Sequence, residues 1–390
     1  GRAHRMSALC IVSCGPATSI QDHGRPGHAR IGLPSAGAMD PRALRAANAL
    51  VGNAPDEAAI ELAYMGMVIR IEGGPVQMAL AGAPASIVCD GRPVAAHCTF
   101  EVADTSTVEI GAMSEGAYAV LAVSGGIAVP PALGSRSLDA RAGIGGLHGR
   151  RLRAGDRIPL RPSHAPFASR AIAPVSLDPE APIRIVLGPQ AEAFTERGLQ
   201  TLIGRSFVVS HAASRMALRL DGPPIERRAG FEMMSDGTLP GSIQVPPDGS
   251  ALVLMADRQT VGGYPKIATV IGADLGRLAQ RRIGTEVRFV PVSSIEAREI
   301  ARQSQLAALE LWLGGDIPES ALMVSRQRAP GLSAALEIDP TRLSGIADAV
   351  VDAAHDASWE QTASGALQPA LSDNPEPSDD EREPPAQDVA

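Results

Sequence analysis

The sequence predicts a mostly-β protein of the α+β kind: two similar β-rich halves, a few helices, and a helical C-terminal extension. Three observations carry this. Short apolar runs recur at roughly ten-residue spacing with turn residues between them, where a parallel α/β sheet would need intervening helices. The pattern occurs twice, on either side of a Pro-, Ser- and Ala-rich stretch that has no periodicity. Aromatic residues are only 3% of the 390 residues while hydrophobic residues reach 45%, so the cores must be built from Ala, Val, Leu and Ile.

A short apolar strand from Leu9 to Ser13 leads into the polar loop Gln21-Asp22-His23-Gly24-Arg25-Pro26-Gly27-His28, and a second loop runs from Gly32 to Met39. Asp40-Pro41 then reads as a helix start, Asp as N-cap and Pro at the first helical position, with Leu44, Ala47 and Leu50 on the apolar face and Gly52-Asn53 as the stop. Strands follow at Val68–Ile71, Val76–Leu80, Ser86–Cys89, Thr99–Val102, Thr107–Ile110 and Ala117–Val123, separated by Gly73-Gly74, Asp90-Gly91 and other turn residues. A Gly- and Arg-rich loop spans Ser135 to Gly149, and Leu152–Leu160 closes this half as a strand. Residues 6–162 are thus one expected domain and 163–182 a linker.

The second half, residues 183–292, offers strands at Ile183–Leu187, Ser206–Ser210, Met216–Leu220, Ser242–Val245, Ala251–Met255, Ile267–Ile271 and Glu286–Val290. Helices are expected at Ala191–Thr195 and Ala273–Arg282. Ser293-Ser294-Ile295-Glu296 is a capping box that opens a helix to Leu313. Another helix is expected from Pro340 to about Ala354, within an extension of residues 293–357, and the acidic stretch 358–390 is expected to be disordered.

Charge excludes some partners. The formal net charge is −8, but Leu371–Ala390 holds seven acids against Arg382, leaving about −2 on the body, so there is no electrostatic case for nucleic acid or an anionic membrane. No run of about 18 apolar residues and no charged-then-apolar leader is seen, so the expectation is a soluble, cytoplasmic protein. Four scattered cysteines (Cys10, Cys14, Cys89, Cys98) suit free thiols rather than a disulfide framework or zinc. His23 and His28, five residues apart in a loop, read as surface or hydrogen-bonded groups, and no metal is expected.

The common catalytic signatures are missing: no GxxxxGK[ST], no GxGxxG between strand and helix, and no GxSxG elbow. What stands out is Leu239 to Val270, where a buried apolar run breaks into Asp257-Arg258-Gln259-Thr260, then Gly262-Gly263, Tyr264-Pro265 and Lys266. A strand ending in charged and amide side chains, followed by two glycines, presents functional groups on a rigid edge and lets a ligand approach the backbone. Lys266 is the only lysine; the other 34 of the 35 basic residues are Arg. A compact ammonium with three rotatable donors cannot be reproduced by guanidinium in a tight site.

Asp22, Asp257, Gln259 and Lys266 are therefore the candidate catalytic groups, with Arg25, Ser35, Asp40, Arg136, Arg258, Gly262, Gly263 and Tyr264 as candidate binding groups. Converging loops of this composition suit a small planar amide or carboxylated substrate, with paired Arg for a carboxylate and Asp and Lys for a proton. The plainer alternatives are that Asp40 only caps its helix, that Asp22 pairs with Arg25, and that Asp257-Arg258 closes a turn.

Gln21-Asp22-His23-Gly24-Arg25-Pro26-Gly27, Gly32, Pro34 to Asp40, Asn48 to Asn53 and Glu61 carry a resemblance, which continues through Ala122 to Ile127, Leu133 to Ser137, Gly145-Gly146 and Gly188-Pro189-Gln190. Its most specific pieces are Gly241 to Gly249 and Asp257 to Ala268. These motifs, in this order from about Leu9 to Val292, are similar to the biotin-dependent carboxyltransferase-like family, which includes the C subunit of 5-oxoprolinase (KipA-like proteins) and the carboxyltransferase region of urea carboxylase.

The resemblance implies two cyclophilin-like β-barrel domains with the site between them, and it implies partners: the KipI-like B subunit of 5-oxoprolinase and the third, A subunit. It implies either ATP-driven opening of the 5-oxoproline lactam or carboxyl transfer from biotin to urea; a non-catalytic regulator that binds a KipI-like kinase inhibitor is the reading from a different class. Biotin would have to arrive on another chain, because the sole lysine is not in a Met-Lys-Met-like hairpin, and without a P-loop ATP would use the partner or an unfamiliar site. Two departures bear on substrate choice: Ser235-Asp236-Gly237 stands where Ser-Glu-Gly is usual, and Val261 where Thr is common.

Overall fold

The computed structural model describes residues 7–163, 168–231 and 233–313. Its first half contains strands β1 (Ala8–Cys14), β2 (Ser19–Gln21), β3 (Ala59–Ala63), β4 (Met67–Glu72), β5 (Val76–Gly82) and β6 (Ala85–Cys89), with helix α1 (Pro41–Leu50) between β2 and β3. Then come β7 (Arg92–Val94), β8 (Thr99–Val102), β9 (Thr107–Met113), β10 (Tyr118–Val123) and β11 (Arg157–Pro159). A six-stranded sheet runs β11-β1-β4-β9-β6-β7 and a five-stranded one β2-β3-β10-β5-β8.

Side-chain alternation explains how three layers arise from these strands. Met78, Leu80, Ala119 and Leu121 point into the core between the two sheets, with Leu9, Ile69, Ile71 and Val108 opposite. Their neighbours Ala79, Ala81, Val120 and Ala122 face the other way and pack against Ala43, Leu44, Ala47 and Leu50 of α1. Every residue of β5 and β10 is consequently buried. The small alanines let the helix lie close. Asp40 caps α1 with its side chain on the Arg42 amide, and Pro41 occupies the first turn, as the sequence predicts. The expected Asp90-Gly91 turn joins β6 to β7 with φ of 46° and 76°, the two-residue geometry that matches strand twist.

The second half begins with β12 (Ile183–Leu187), α2 (Glu196–Gly204), β13 (Phe207–Val209), β14 (Ala217–Asp221), β15 (Asp236–Gly237), β16 (Ser242–Gln244) and β17 (Ala251–Leu254). It continues with β18 (Val261–Gly262), β19 (Lys266–Val270), α3 (Gly272–Ala279), β20 (Glu286–Val287), β21 (Phe289–Pro291) and α4 (Ser294–Leu313). Eight strands form one sheet in the order β20-β13-β14-β17-β16-β19-β12-β21, while β15 and β18 make a separate ribbon. The two end strands are joined by the single residue Arg288, so the sheet's edges must lie side by side and it curls into a nearly closed barrel. Inside are Ile185, Phe207, Leu220, Ile243, Val253, Ile267 and Val270, with Met39 and Tyr118 of the first half packed into the same cluster.

Gln280, just after α3, fastens the halves together. Its Oε1 accepts from the Ala117 and Tyr118 amides at 2.9 and 3.0 Å, and its Nε2 donates to Asp40 Oδ2 at 2.9 Å and the Tyr118 carbonyl at 2.8 Å. All four hydrogen-bonding positions of a 3% exposed amide are used.

The mostly-β class with few helices is the fold observed; the second half is one nearly closed barrel-like sheet, whereas the first half is two separate sheets packed over a shared core. Local differences have local causes. The helix expected at Ala191–Thr195 is a single turn, Ala191–Ala193; Thr195 instead caps α2, its hydroxyl accepting from Gly198 N at 3.0 Å. The segment expected as a linker is tied down: Ala168 accepts from Gln77 Nε2 at 2.8 Å, Arg170 accepts from Thr99 N at 2.9 Å, and Ile172 and Val175 pack on the α1 cluster. The strand expected over Leu152–Leu160 shrinks to β11. The capping box is present, with Ser293 N to Glu296 Oε2 at 2.7 Å and Glu296 N to Ser293 Oγ at 3.1 Å. The helix expected from Pro340 and the acidic tail lie outside the described residues. All four cysteines are unpaired and half-buried. Among the described residues no helix is long and apolar enough to cross a membrane.

Candidate functional site

The two loops of the first half are zipped together by glycine. Gly24 and Gly37 adopt φ of 93° and 96°, and a Cβ on Gly24 would sit 2.5 Å from the Ser35 carbonyl oxygen. That closeness lets Arg25 N donate to Ser35 O at 2.7 Å. Asp22 organises the base of this assembly. Its Oδ1 accepts from Gly24 N at 2.7 Å and from the Ser135 and Ser137 hydroxyls at 2.6 Å each, and its Oδ2 accepts from Arg136 N at 2.5 Å. The carboxylate is saturated by its own loops, and it does not pair with Arg25.

Among the described residues Arg25 is the largest fully buried side chain, at 1% exposure. Its Nε donates to the Ala132 carbonyl at 3.3 Å and its Nη2 to the Ser137 carbonyl, while Nη1 is buried without a hydrogen bond. Burial lowers its affinity for the proton, against the pull of Asp22, Asp139 and Asp257. Arg136 turns elsewhere, donating to the Val129 carbonyl at 2.6 Å and lying 4.0 Å from Glu57. Asp40 is engaged by its cap, by Arg42 and by Gln280, which sets it in the seam between the halves.

On the other side, the end of β17 brings Asp257 and Arg258 to the same place. Asp257 is gripped by Arg215, Nε to Oδ2 at 2.8 Å and Nη2 to Oδ1 at 2.9 Å. Arg215 also donates from Nη1 to Glu61 Oε1 and from Nη2 to the Gly37 carbonyl at 2.7 Å, while Glu61 Oε2 accepts from Met39 N at 2.6 Å. Complete burial pushes the Glu61 carboxyl up, with Arg215 and the Met39 amide pulling it back. Burial also opposes the Arg215 charge, but Glu61 and Asp257 together hold it firmly protonated.

Arg258 is treated differently. It is 7% exposed, and its Nε reaches the Thr238 carbonyl at 3.3 Å and its Nη1 the Ser35 hydroxyl at 3.4 Å. Burial with no acid at its side brings it down to about 10, still a cation at neutral pH.

Lys266, at the start of β19, does not point to water. It is 3% exposed, and its Nζ donates to Asp236 Oδ2 at 2.5 Å and to the Gly237 carbonyl at 2.9 Å. That hydrogen bond holds the Asp236 carboxyl below the usual carboxylate range. Lys266 holds Asp236 and Gly237 while Arg258 holds Thr238, so the two cations grip one short stretch from its opposite ends. Gln259 and Gln244 complete the wall: Gln259 Nε2 lies 3.5 Å from Gln244 Oε1, and Gln244 Nε2 donates to the Tyr264 carbonyl at 3.3 Å. Gly262 is needed for closeness, since a Cβ there would strike the Gln244 amide; at Gly263 only Ser235 Oγ is near, at 3.6 Å. Tyr264 is 41% exposed.

Ser35, Arg25, Asp257 and Arg258 are thus brought together across the two halves, and Lys266, Gln259, Gly262 and Tyr264 adjoin them through residues 236–238. Asp22, Asp40 and Arg136 are held in supporting roles. Sequence reasoning missed Arg215 and Thr238 as members, and noticed Asp236 only as a departure from the usual Ser-Glu-Gly. Glu61 carried a usable signal, a lone acid inside the apolar strand Ala59–Ala63. Among the described residues no group of three or more His, Cys, Asp or Glu could hold a metal ion.

The profile of a carboxyltransferase domain, subdomains A and B, matches residues 31–291. The C subunit of 5-oxoprolinase from Haemophilus influenzae is 38% identical over 296 residues, covering 76% of this chain and 95% of that protein. Its Escherichia coli counterpart is 38% identical over 298 residues, with the same coverage. Urea amidolyase of Lachancea kluyveri is 31% identical over 335 residues, which is 79% of this chain but 18% of that protein. The crystal structure of Kluyveromyces lactis urea carboxylase superposes with a TM-score of 0.74 at 27% identity, covering 79% of this chain and 29% of that one. The chain belongs to the carboxyltransferase domain family, subdomains A and B.

Proposed function

We propose that this chain is the C subunit of an ATP-dependent 5-oxoprolinase, opening the lactam of 5-oxoproline to glutamate together with a KipI-like B subunit and a third, A subunit in the cytoplasm. In this reading residues 6–162 and 183–292 are two domains that share the site, residues 163–182 connect them, and residues 293–357 and 358–390 are an extension and a tail. The observation that carries it is the buried Lys266 ammonium, with one of three donors left after Asp236 and Gly237 are served. A fixed cation at a water-poor edge polarises an amide carbonyl as charge develops on its oxygen. Asp236 keeps that ammonium charged, and Gln259 offers an exposed amide for the lactam edge. Arg215 holds Asp257 in place beside Arg258.

The described helix N-termini do not suit a triphosphate. Each described α-helix carries a carboxylate at its cap or first turn, Asp40, Glu196, Asp274 and Glu296, so phosphates seeking a helix N-terminus would meet like charge. The nucleotide then belongs to one of the partner chains. Lys266, being buried, is not a biotin carrier either. Carboxyl transfer to urea from biotin on another chain is the second reading, favoured by the superposition on urea carboxylase.

Mixing the chain with its partner chains, ATP and 5-oxoproline, and measuring glutamate, separates these. Glutamate formation supports the first reading. Carboxylation seen only with a biotinylated carrier supports the second. Binding of the KipI-like partner with neither activity leaves a regulator.

A further inference from the structure

We propose that Arg258 and Ser35 form a carboxylate-binding site, so that the amide taken by this protein is an anion rather than a neutral urea. The proposal deepens the reading above and relies on it for where the amide sits.

The Arg258 guanidinium is buried here without an acid in ion-pair range among the described residues. Arg258 has Thr238 O and Ser35 Oγ as partners, and its Nη2 makes no hydrogen bond to a described residue. Arg25 differs: it is enclosed by the carbonyls of Ala132 and Ser137, and Asp22, Asp139 and Asp257 favour its charge. The acid beside Arg258 in sequence, Asp257, is turned away and occupied by Arg215. Ser35 is fixed from behind, its carbonyl accepting from the backbone amide of Arg25, while its hydroxyl accepts from Arg258 Nη1.

Burying a charge without a counter-ion is costly, so such a group calls for an anion from outside. Arg215, 12% exposed at its side chain, shows the alternative this fold uses when a cation is purely structural: two carboxylates, Glu61 and Asp257. Arg281 is also buried with unpartnered nitrogens, but it follows the C-terminus of α3, where the helix dipole already favours a cation. No such compensation serves Arg258. A planar fork with a free edge matches a carboxylate, and the hydroxyl of Ser35 can add a donor.

The test is calorimetric titration of the assembled complex, without ATP, with 5-oxoproline and with 2-pyrrolidinone, the same lactam lacking the carboxylate. The wild type should prefer 5-oxoproline by at least about tenfold, and Arg258→Gln should weaken 5-oxoproline binding roughly 10- to 100-fold while leaving 2-pyrrolidinone unchanged. If Arg258→Gln binds neither compound, Arg258→Lys decides: a retained preference supports the site, and its loss in a variant that still binds 2-pyrrolidinone or still assembles with its partners overturns it. Equal affinities in the wild type, or a preference that survives Arg258→Gln, also overturn it. An Arg258-dependent preference in a complex that makes no glutamate would keep the anion site and remove the 5-oxoprolinase reading; glutamate formation with a preference indifferent to Arg258 would do the reverse.

Discussion

Arg215 grips the Asp257 carboxylate with two nitrogens, at 2.8 and 2.9 Å, while the same guanidinium reaches across to Glu61 and the Gly37 carbonyl of the other half. The pairing fixes the end of β17 against the first-half loops. It also commits Asp257 to a partner, so that Arg258 next to it is left without one.

Replacing Arg215 by Met should therefore damage both stability and activity. Glu61 would be left as a buried carboxylate without a cation, a loss of about 3–5 kcal/mol. Urea unfolding of Arg215→Met against the wild type measures it. Adding Glu61→Gln to that variant should recover part of the loss, and no recovery would speak against the pairing as its source.

Gln280 predicts a second sensitive point far from any substrate. Gln280→Ala strips partners from two amides, one carbonyl and Asp40 at once, and should cost about 3–5 kcal/mol when each orphaned buried group is worth roughly 1–3 and water rescues some of them. A loss below about 1 kcal/mol in denaturant titration would mean that the halves are held by something else.

Acid sensitivity should map partly to Asp274. Burial alone would raise this carboxyl, but the hydrogen bonds from Arg184 at 2.6 to 2.9 Å outweigh it and hold it below the ordinary range. A depressed carboxyl contributes stability that is present above its unfolded value of about 3.9 and disappears as pH falls through the folded one. Asp274→Asn should be clearly less stable than wild type at about pH 7, and the gap should narrow below about pH 4. A gap independent of pH would contradict the assignment.

Two glycines in the family motifs should behave oppositely. A Cβ at Gly145, where φ is 75°, would fall on the Ser137 carbonyl oxygen and 2.6 Å from Arg25 Nη2, so Gly145→Ala should destabilise by about 2 kcal/mol or more. Gly263→Ala has room and should stay within about 0.5 kcal/mol. Equal thermal shifts for the two would refute this account of the Arg25 loop.

Much of this fold was legible because its signals are local. Alternation exposed the strands from Val68 to Val123, and Asp40-Pro41 and Ser293 to Glu296 announced α1 and α4 by their capping chemistry. The α2 helix was obscured by Gly198 and Gly204, which lower helix propensity; at Gly198 packing against the Glu226 backbone demands a small residue. The site was legible only as parts. Gly262 and Lys266 drew notice through their rarity and spacing, but Arg215 lies 42 positions from Asp257 and 154 from Glu61, in a segment that reads as an ordinary strand approach. Nothing in sequence periodicity reports a pairing of that range. Asp40 is instructive in the other direction: its cap was plain from the residues, and its engagement with Gln280 came only from the meeting of the halves.

The most direct measurement is glutamate release from 5-oxoproline by the assembled complex carrying Lys266→Met. Its partner Asp236 is 54% exposed at the side chain and can take water in place of the ammonium, so folding and assembly should survive. Turnover should fall roughly 10²- to 10³-fold, the loss typical of removing one fixed donor from a developing oxyanion. A Lys266→Met complex that releases glutamate at the wild-type rate would contradict the account.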